Sequence, residues 1–185
     1  MASGALCSIL FFLLVLTAGH ANPAANKPQQ QLVQSTCNST TYYDLCVAAL
    51  AADPSSSTSD VRGLCAIAVS AAAANASSAV DSALSSATAD QNQAPERAAL
   101  LRACAAKYAE AREALGAARE AIKGESYDYA YVHVSAAAEY PAVCRALFRR
   151  RQRGAVYPPE LARREEGLRR LCTVALDIIS LLLVP

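Results

Sequence analysis

Residues 100–148 read LLRACAAKYAEAREALGAAREAIKGESYDYAYVHVSAAAEYPAVCRALF, and this stretch decides the fold. Leu101, Cys104, Tyr108, Ala111, Leu115, Ala118 and Ile122 recur three and four apart, the stripe of a helix packed against other helices. After Lys123-Gly124 the spacing restarts with Tyr127, Ala130, Val134, Ala137, Pro141, Cys144 and Phe148. The pattern predicts two antiparallel helices folded about Gly124. Gly124 is expected as the left-handed residue that ends the first, and Ser126 as the N-cap of the second. Cys104 lies twenty residues before Gly124 and Cys144 twenty after it. At a rise of ~1.5 Å per residue the two sulfurs stand at the same height on the core stripe, so a Cys104–Cys144 disulfide is expected.

Working outward, Ser59-Asp60 supplies capping oxygens for a long helix running to about residue 86. Its apolar face is thin: Val61, Leu64, Cys65, Ala68, Ala72, Val80 and Leu84. Residues 91–95 turn the chain into the second long helix, with Pro95 near its start. Pro141 should kink the third long helix, because a proline inside a helix removes a hydrogen bond. Residues 149–159 read as a loop. In a last helix from Glu160 onward, Leu161, Leu168, Leu171, Ala175, Ile178 and Leu182 repeat the core spacing. No stretch shows strand alternation. The fold class is all-α, an up-down-up-down four-helix bundle.

Ahead of the bundle, residues 32–51 hold two short helical pieces joined by Asn38-Ser39-Thr40. Cys37 and Cys46 bracket that turn and are expected to pair. Loop-closure entropy gives ~2.7 kcal/mol for this bridge and ~4 kcal/mol for Cys104–Cys144, both upper-end figures. Cys65 and Cys172 remain. They fall about 10 Å apart along the bundle axis, so two buried free thiols are favoured over a third bridge. Residues 22–31, polar with two prolines, read as a flexible lead-in.

Residues 1–21 read as a secretory signal that takes Cys7 with it. The apolar run 10–16 is short, and Gly19-His20-Ala21 puts small residues before the cleavage point, although the segment has no Lys or Arg. The run falls well short of the ~20 residues of a transmembrane anchor, and the apolar tail 181–184 is too short for a lipid-anchor signal. The expected mature chain, residues 22–185, is long enough for one domain (32–185) with its own core. An exported chain permits disulfides. Asn38-Ser39-Thr40 and Asn75-Ala76-Ser77 are N-glycosylation sequons, and a glycan is expected on one of them.

Charge is uneven. Residues 22–141 carry 8 basic and 12 acidic groups, whereas residues 142–172 carry 9 Arg and 3 Glu. The Arg-rich stretch reads either as a solvated helix end and loop or as a docking surface for an acidic partner. Nucleic acid is a poor partner for an exported chain without stacking aromatics beside its arginines.

Catalytic constellations are absent. After the signal, His133 is the single histidine, set between Val132 and Val134 where a packed or half-exposed helix residue is expected. No cysteine or histidine spacing suits a metal and no Gly-rich phosphate loop occurs, so neither metal nor cofactor is expected. Glu110 with Glu113, and Glu165 with Glu166, read as solvated helix faces beside Arg112 and Arg169. The chain is not expected to be an enzyme; it works by its surface.

The hairpin Cys37-Asn38-Ser39-Thr40-Thr41-Tyr42-Tyr43-Asp44-Leu45-Cys46, followed by Leu50-Ala51-Ala52-Asp53-Pro54, resembles the start of plant invertase and pectin methylesterase inhibitors. So do Leu101-Arg102-Ala103-Cys104-Ala105-Ala106-Lys107-Tyr108 and the spacing from Cys104 to Cys144. The resemblance covers nearly all of residues 22–185, and its four shared cysteines correspond to Cys37, Cys46, Cys104 and Cys144. It implies a non-catalytic, monomeric inhibitor secreted to the cell wall, binding one enzyme molecule and occluding its active-site cleft. Invertase inhibitors of this kind often carry Gly-Asp-Pro-Lys-Phe at the central turn. This chain has Gly124-Glu125-Ser126-Tyr127-Asp128, which counts against invertase. The resemblance to pectin methylesterase inhibitors suggests Arg112, Glu113, Arg119, Glu120 and Lys123, with Asp128 and Glu139 across the hairpin, as contacts. Pectin methylesterase is therefore the first expected target, invertase the second, and a non-inhibitory secreted bundle the third reading.

Overall fold

A computed structural model describes residues 27–150 and 156–183. These residues form α1 (Lys27–Asn38), α2 (Tyr43–Ala51), a 3-10 turn (Pro54–Thr58), α3 (Val61–Asp90), α4 (Pro95–Lys123), α5 (Tyr127–Arg150) and α6 (Pro159–Leu183). No strand occurs among them. Helices α3 to α6 follow one another round a square: α3 packs on α4 and α6, and α5 on α4 and α6. This is the all-α, up-down-up-down bundle that four apolar stripes with short connections dictate.

Local sequence sets the helix ends. Asp60 Oδ1 accepts from Gly63 N at 2.8 Å and starts α3. Pro95 occupies the first position of α4, where its missing N–H costs nothing. Helix α3 outruns its expected end by a turn, burying Ala87 and closing at Asp90, whose carbonyl accepts from Ala94 N at 2.8 Å. Its inner face also departs from expectation beyond Ala72. Ala76, Ala79, Ala83 and Ala87 are buried, while Val80 is half-buried and Leu84 is 44% exposed. The alanines fill the seam, Val80 packs against the core at its border, and Leu84 is left outside. By length and composition α3 could cross a membrane, but here its small-residue face is bundle core.

The central turn corrects the sequence reading by one residue. Gly124 has φ −85°, and Glu125 carries the positive φ of 57°. Ser126 N donates to Ala121 O (2.8 Å) and Glu125 N to Ile122 O (3.1 Å), the bond pair of a Schellman ending with Glu125 as its left-handed residue. The Glu125 carboxylate is held by Arg62 of α3. Ser126 Oγ donates to Gly124 O at 3.3 Å, so this hydroxyl serves the turn. Pro141 is buried inside an α5 that runs unbroken to Arg150, beyond the point where a loop was expected to begin.

The N-terminal part of the described chain is more ordered than its composition suggests. Helix α1 begins at Lys27, so residues 27–31 of the expected lead-in are helical. Gln29 Nε2 accounts for this, donating to Ser56 O (2.6 Å) and Ser59 O (2.8 Å) across the 3-10 turn. The α1–α2 hairpin is closed by Cys37–Cys46 and tied to α6 by Thr41 N, which donates to Asp177 Oδ2 at 2.7 Å. Arg170 lies 5.5 Å over the Tyr42 ring, a second tie to α6. The expected signal, residues 1–21, lies outside the described residues.

Candidate functional site

The α4–α5 hairpin is built on its buried side. Cys104 and Cys144 are bonded with their Cα atoms 4.9 Å apart, which fixes the register of the two helices. From that pairing, Gly116 stands at the height of Val132 and Arg119 at that of Tyr129. Leu101, Tyr108, Ala111, Leu115 and Ala118 face inward with no exposure, and Tyr108 OH donates to Leu161 O at 3.3 Å. Burial pushes the Tyr108 phenol up to about 12, so it remains a neutral donor at every physiological pH.

The outer side of the hairpin holds all seven charged residues that the sequence proposes as contacts. Arg112, Glu113, Arg119, Glu120, Lys123, Asp128 and Glu139 are exposed, and none forms an ion pair with another described residue. They do not form one cluster. Arg119, Glu120 and Lys123 meet Asp60, the N-cap of α3, and Arg62 of α3 around a cleft of about 420 Å³ at the turn end of the bundle. Arg112 and Glu113 follow one to two turns away. Glu139 stands eleven residues along α5 from Asp128, about 16 Å at the helical rise.

Sequence reasoning missed several neighbours of these charges. Asp60 and Arg62 come from the start of α3 and its N-cap, and no periodicity in α4 announces them. Tyr129 and Val132, 70% and 62% exposed, are large apolar side chains outside the core stripe of α5. The last is Gly116. A Cβ built there meets nothing within 4 Å, so neither close packing nor the backbone demands glycine in the middle of α4. An interior helix glycine costs about 1 kcal/mol relative to alanine. That cost has no intrachain explanation, and Gly116 lies between Arg112 and Arg119 on the same exposed face.

Other titratable groups are committed elsewhere. His133 is half-buried on α5, and Glu110 takes two hydrogen bonds from Lys107 Nζ (2.7 and 2.8 Å). On α6, Glu166 accepts from Arg169 and Arg170, whose hydrogen bonds pull its carboxyl down to about 2. Among the described residues no group of His, Cys, Asp and Glu has the arrangement to hold a metal. Cys65 and Cys172 are buried free thiols, each pushed up to about 12 by burial and so unreactive at neutral pH. Gly167 of α6 abuts Asn75 of α3, which sets Cys172 at the height of residue 70, five positions from Cys65. That offset of about 7 Å along the axis separates the two sulfurs.

The two sequons differ sharply. Asn38 is exposed at the end of α1. Asn75 lies mid-helix with Oδ1 buried and without a partner, and its Nδ2 is 2.9 Å from where a Cβ on Gly167 would stand. Asn75 is thus the more enclosed of the two sequons, of which one was expected to carry a glycan.

The described residues form a disulfide-stapled four-helix bundle with a side-docked hairpin and a charged outer face. Residues 31–178 match the family described as plant invertase/pectin methylesterase inhibitor, and the chain belongs to this family. It is 62% identical over 157 residues to pectinesterase inhibitor 28 of rice (Oryza sativa subsp. japonica), covering 82% of this chain and 69% of that protein. It is 38% identical over 175 residues to cell wall / vacuolar inhibitor of fructosidase 2 of Arabidopsis thaliana, covering 94% and 96%. A crystal structure of a mutant form of an Arabidopsis pectin methylesterase inhibitor superposes with a TM-score of 0.63 at 20% identity. That match covers 83% of this chain and 97% of the other, and shows a shared fold.

Proposed function

We propose that this chain is a secreted inhibitor of pectin methylesterase that docks through the outer face of α4 and the turn end of α5. It binds one enzyme molecule and covers the cleft through which pectin enters. The choice of enzyme rests on the 62% identity to the rice pectinesterase inhibitor. The choice of face rests on geometry. Exposed Tyr129 and Val132 are flanked by charges that the fold leaves unpaired, and interfaces are commonly built from aromatic and Arg anchors inside a polar rim. An inhibitor of this kind needs no reacting group, because occlusion alone stops turnover. Secretion to the cell wall follows the reading of residues 1–21, and Asn38 is the sequon with room for a glycan.

Titration of purified, oxidised protein against pectin methylesterase tests the reading. The expected result is loss of activity that reaches its end point at one inhibitor per enzyme. Activity that persists at excess inhibitor would refute it. The second reading is inhibition of a fructosidase, supported by the 38% identical Arabidopsis relative that the chain matches over nearly its whole length. Loss of fructosidase activity with methylesterase untouched would select it instead.

A further inference from the structure

The Arg-rich end of the bundle has no part in that docking face. Asp128 and Arg149 lie 21 residues apart on one helix, about 30 Å at the helical rise. At this far end the last turns of α5 pack beside the start of α6. Two glutamates organise the arginines there. Glu160 accepts from both Arg163 and Arg164, the latter through Nε at 2.9 Å. Glu165 accepts from Arg145 Nε at 3.1 Å and from Tyr157 OH at 3.0 Å. The Arg145 guanidinium also lies 5.5 Å over the Tyr157 ring, which packs edge-on against Phe148.

Two consequences follow from this bracing. Arg145 and Arg164 are each bonded through Nε, so the terminal two-nitrogen edge of each guanidinium makes no hydrogen bond to a described residue. That planar edge matches a carboxylate in a bidentate pair. Because the Nε side is already anchored, little side-chain freedom remains to be lost on binding. Along the chain from residue 145 to 165 the described residues carry five arginines (145, 149, 150, 163 and 164) and two glutamates (160 and 165), with Glu96 of α4 at the same end. Arg149 and Arg150 have no ion-pair partner among the described residues.

We propose that this edge binds de-esterified pectin, a polygalacturonate whose carboxylates lie in a row along the sugar chain. Arg145 and Arg164 would take carboxylates through their open edges, and Arg149 and Arg163 would add charge on either side. The identity of the polyanion rests on the inhibitor reading above. Hydrolysis of each methyl ester by the target enzyme releases methanol and leaves a carboxylate, so the enzyme's product carries the charge that this edge complements. The inhibitor would then be held where methylesterase has already acted, with its docking face free at the other end.

The test is retention of the intact protein on immobilised polygalacturonate, with fully methylesterified pectin and poly-glutamate as comparisons. Binding is expected to polygalacturonate and to fall steeply between low and near-physiological salt, where screening reaches about 10 Å. Arg149→Gln combined with Arg164→Gln should abolish most of it. Arg145→Lys, which keeps the charge and the stem but loses the fork, should weaken it several-fold with the helical signal unchanged. Inhibition of methylesterase on a small ester substrate should be the same for all these variants. Equal retention on methylesterified pectin or poly-glutamate, or indifference to both sets of substitutions, would overturn the proposal. Retention without any methylesterase inhibition would support this site while refuting the inhibitor reading.

Discussion

On its inner face the α4–α5 hairpin carries Leu101, Cys104, Tyr108, Ala111, Leu115, Ala118, Val134 and Ala137, each without solvent exposure. On its outer face the same two helices carry Gly116, Tyr129 and Val132 among seven unpaired charges. Every inner residue has a packing reason, a place in the one buried core, and the cystine holds the register of the two helices. The outer residues have none. Glycine weakens the helix, and two large apolar groups stand in water. In the docking proposed above, these are the residues that the enzyme would cover.

Substitutions on the inner face should act through stability alone. Cys104→Ala with Cys144→Ala should lower unfolding free energy by about 4 kcal/mol, against about 2.7 kcal/mol for Cys37→Ala with Cys46→Ala, both read by urea denaturation. Equal losses would mean that loop length does not govern the two staples. Ala118→Leu, filling a seam that has no spare room, should cost about 1–3 kcal/mol by overpacking.

The turn between the faces offers a smaller effect of opposite sign. Glu125→Gly removes a side chain from a left-handed position and loses only an exposed pairing with Arg62, so a net gain of about 0.5 kcal/mol is expected in thermal unfolding. A loss would show that the Arg62 contact outweighs the backbone term. The smallest effect concerns pH. The Glu166 carboxyl is held at about 2 in the folded state, below its ordinary value of 4.5. Its contribution is therefore complete above that ordinary value and is lost as pH falls toward about 2. Glu166→Gln should flatten that acid limb and leave stability near neutral pH otherwise parallel to the parent.

The sequence made the inner face legible and the outer face only partly so. Spacings of three and four named most of the core of α4 and α5, missing the buried Ala98 and Ala105 and including Tyr127, which is half-buried. Equal distances from Gly124 placed Cys104 opposite Cys144. Periodicity failed in part of α3, where hydrophobicity selected the exposed Leu84 and passed over the buried Ala76, Ala79, Ala83 and Ala87. It also misplaced the left-handed residue, because glycine preference favoured Gly124 while the Schellman bonds fall one position later. The seven charges were found by resemblance, as helix faces. Their division into a cleft with Asp60 and Arg62, and a separate stretch along α5, depends on how α3 lies beside α4, a tertiary fact. Gly116 was visible in the sequence but unreadable there. Only the empty space around it separates a glycine required by packing from one that packing does not require.

Gly116→Phe tests the division between the two faces most directly, by titration against pectin methylesterase beside a thermal unfolding scan. The introduced ring would project into open solvent, so the account predicts an unfolding midpoint at or above that of the parent protein. It predicts inhibition reduced by at least tenfold, the loss of roughly 1.4 kcal/mol of binding. Unchanged inhibition by a variant of equal or greater stability would contradict the account and remove the outer face of α4 from the enzyme contact.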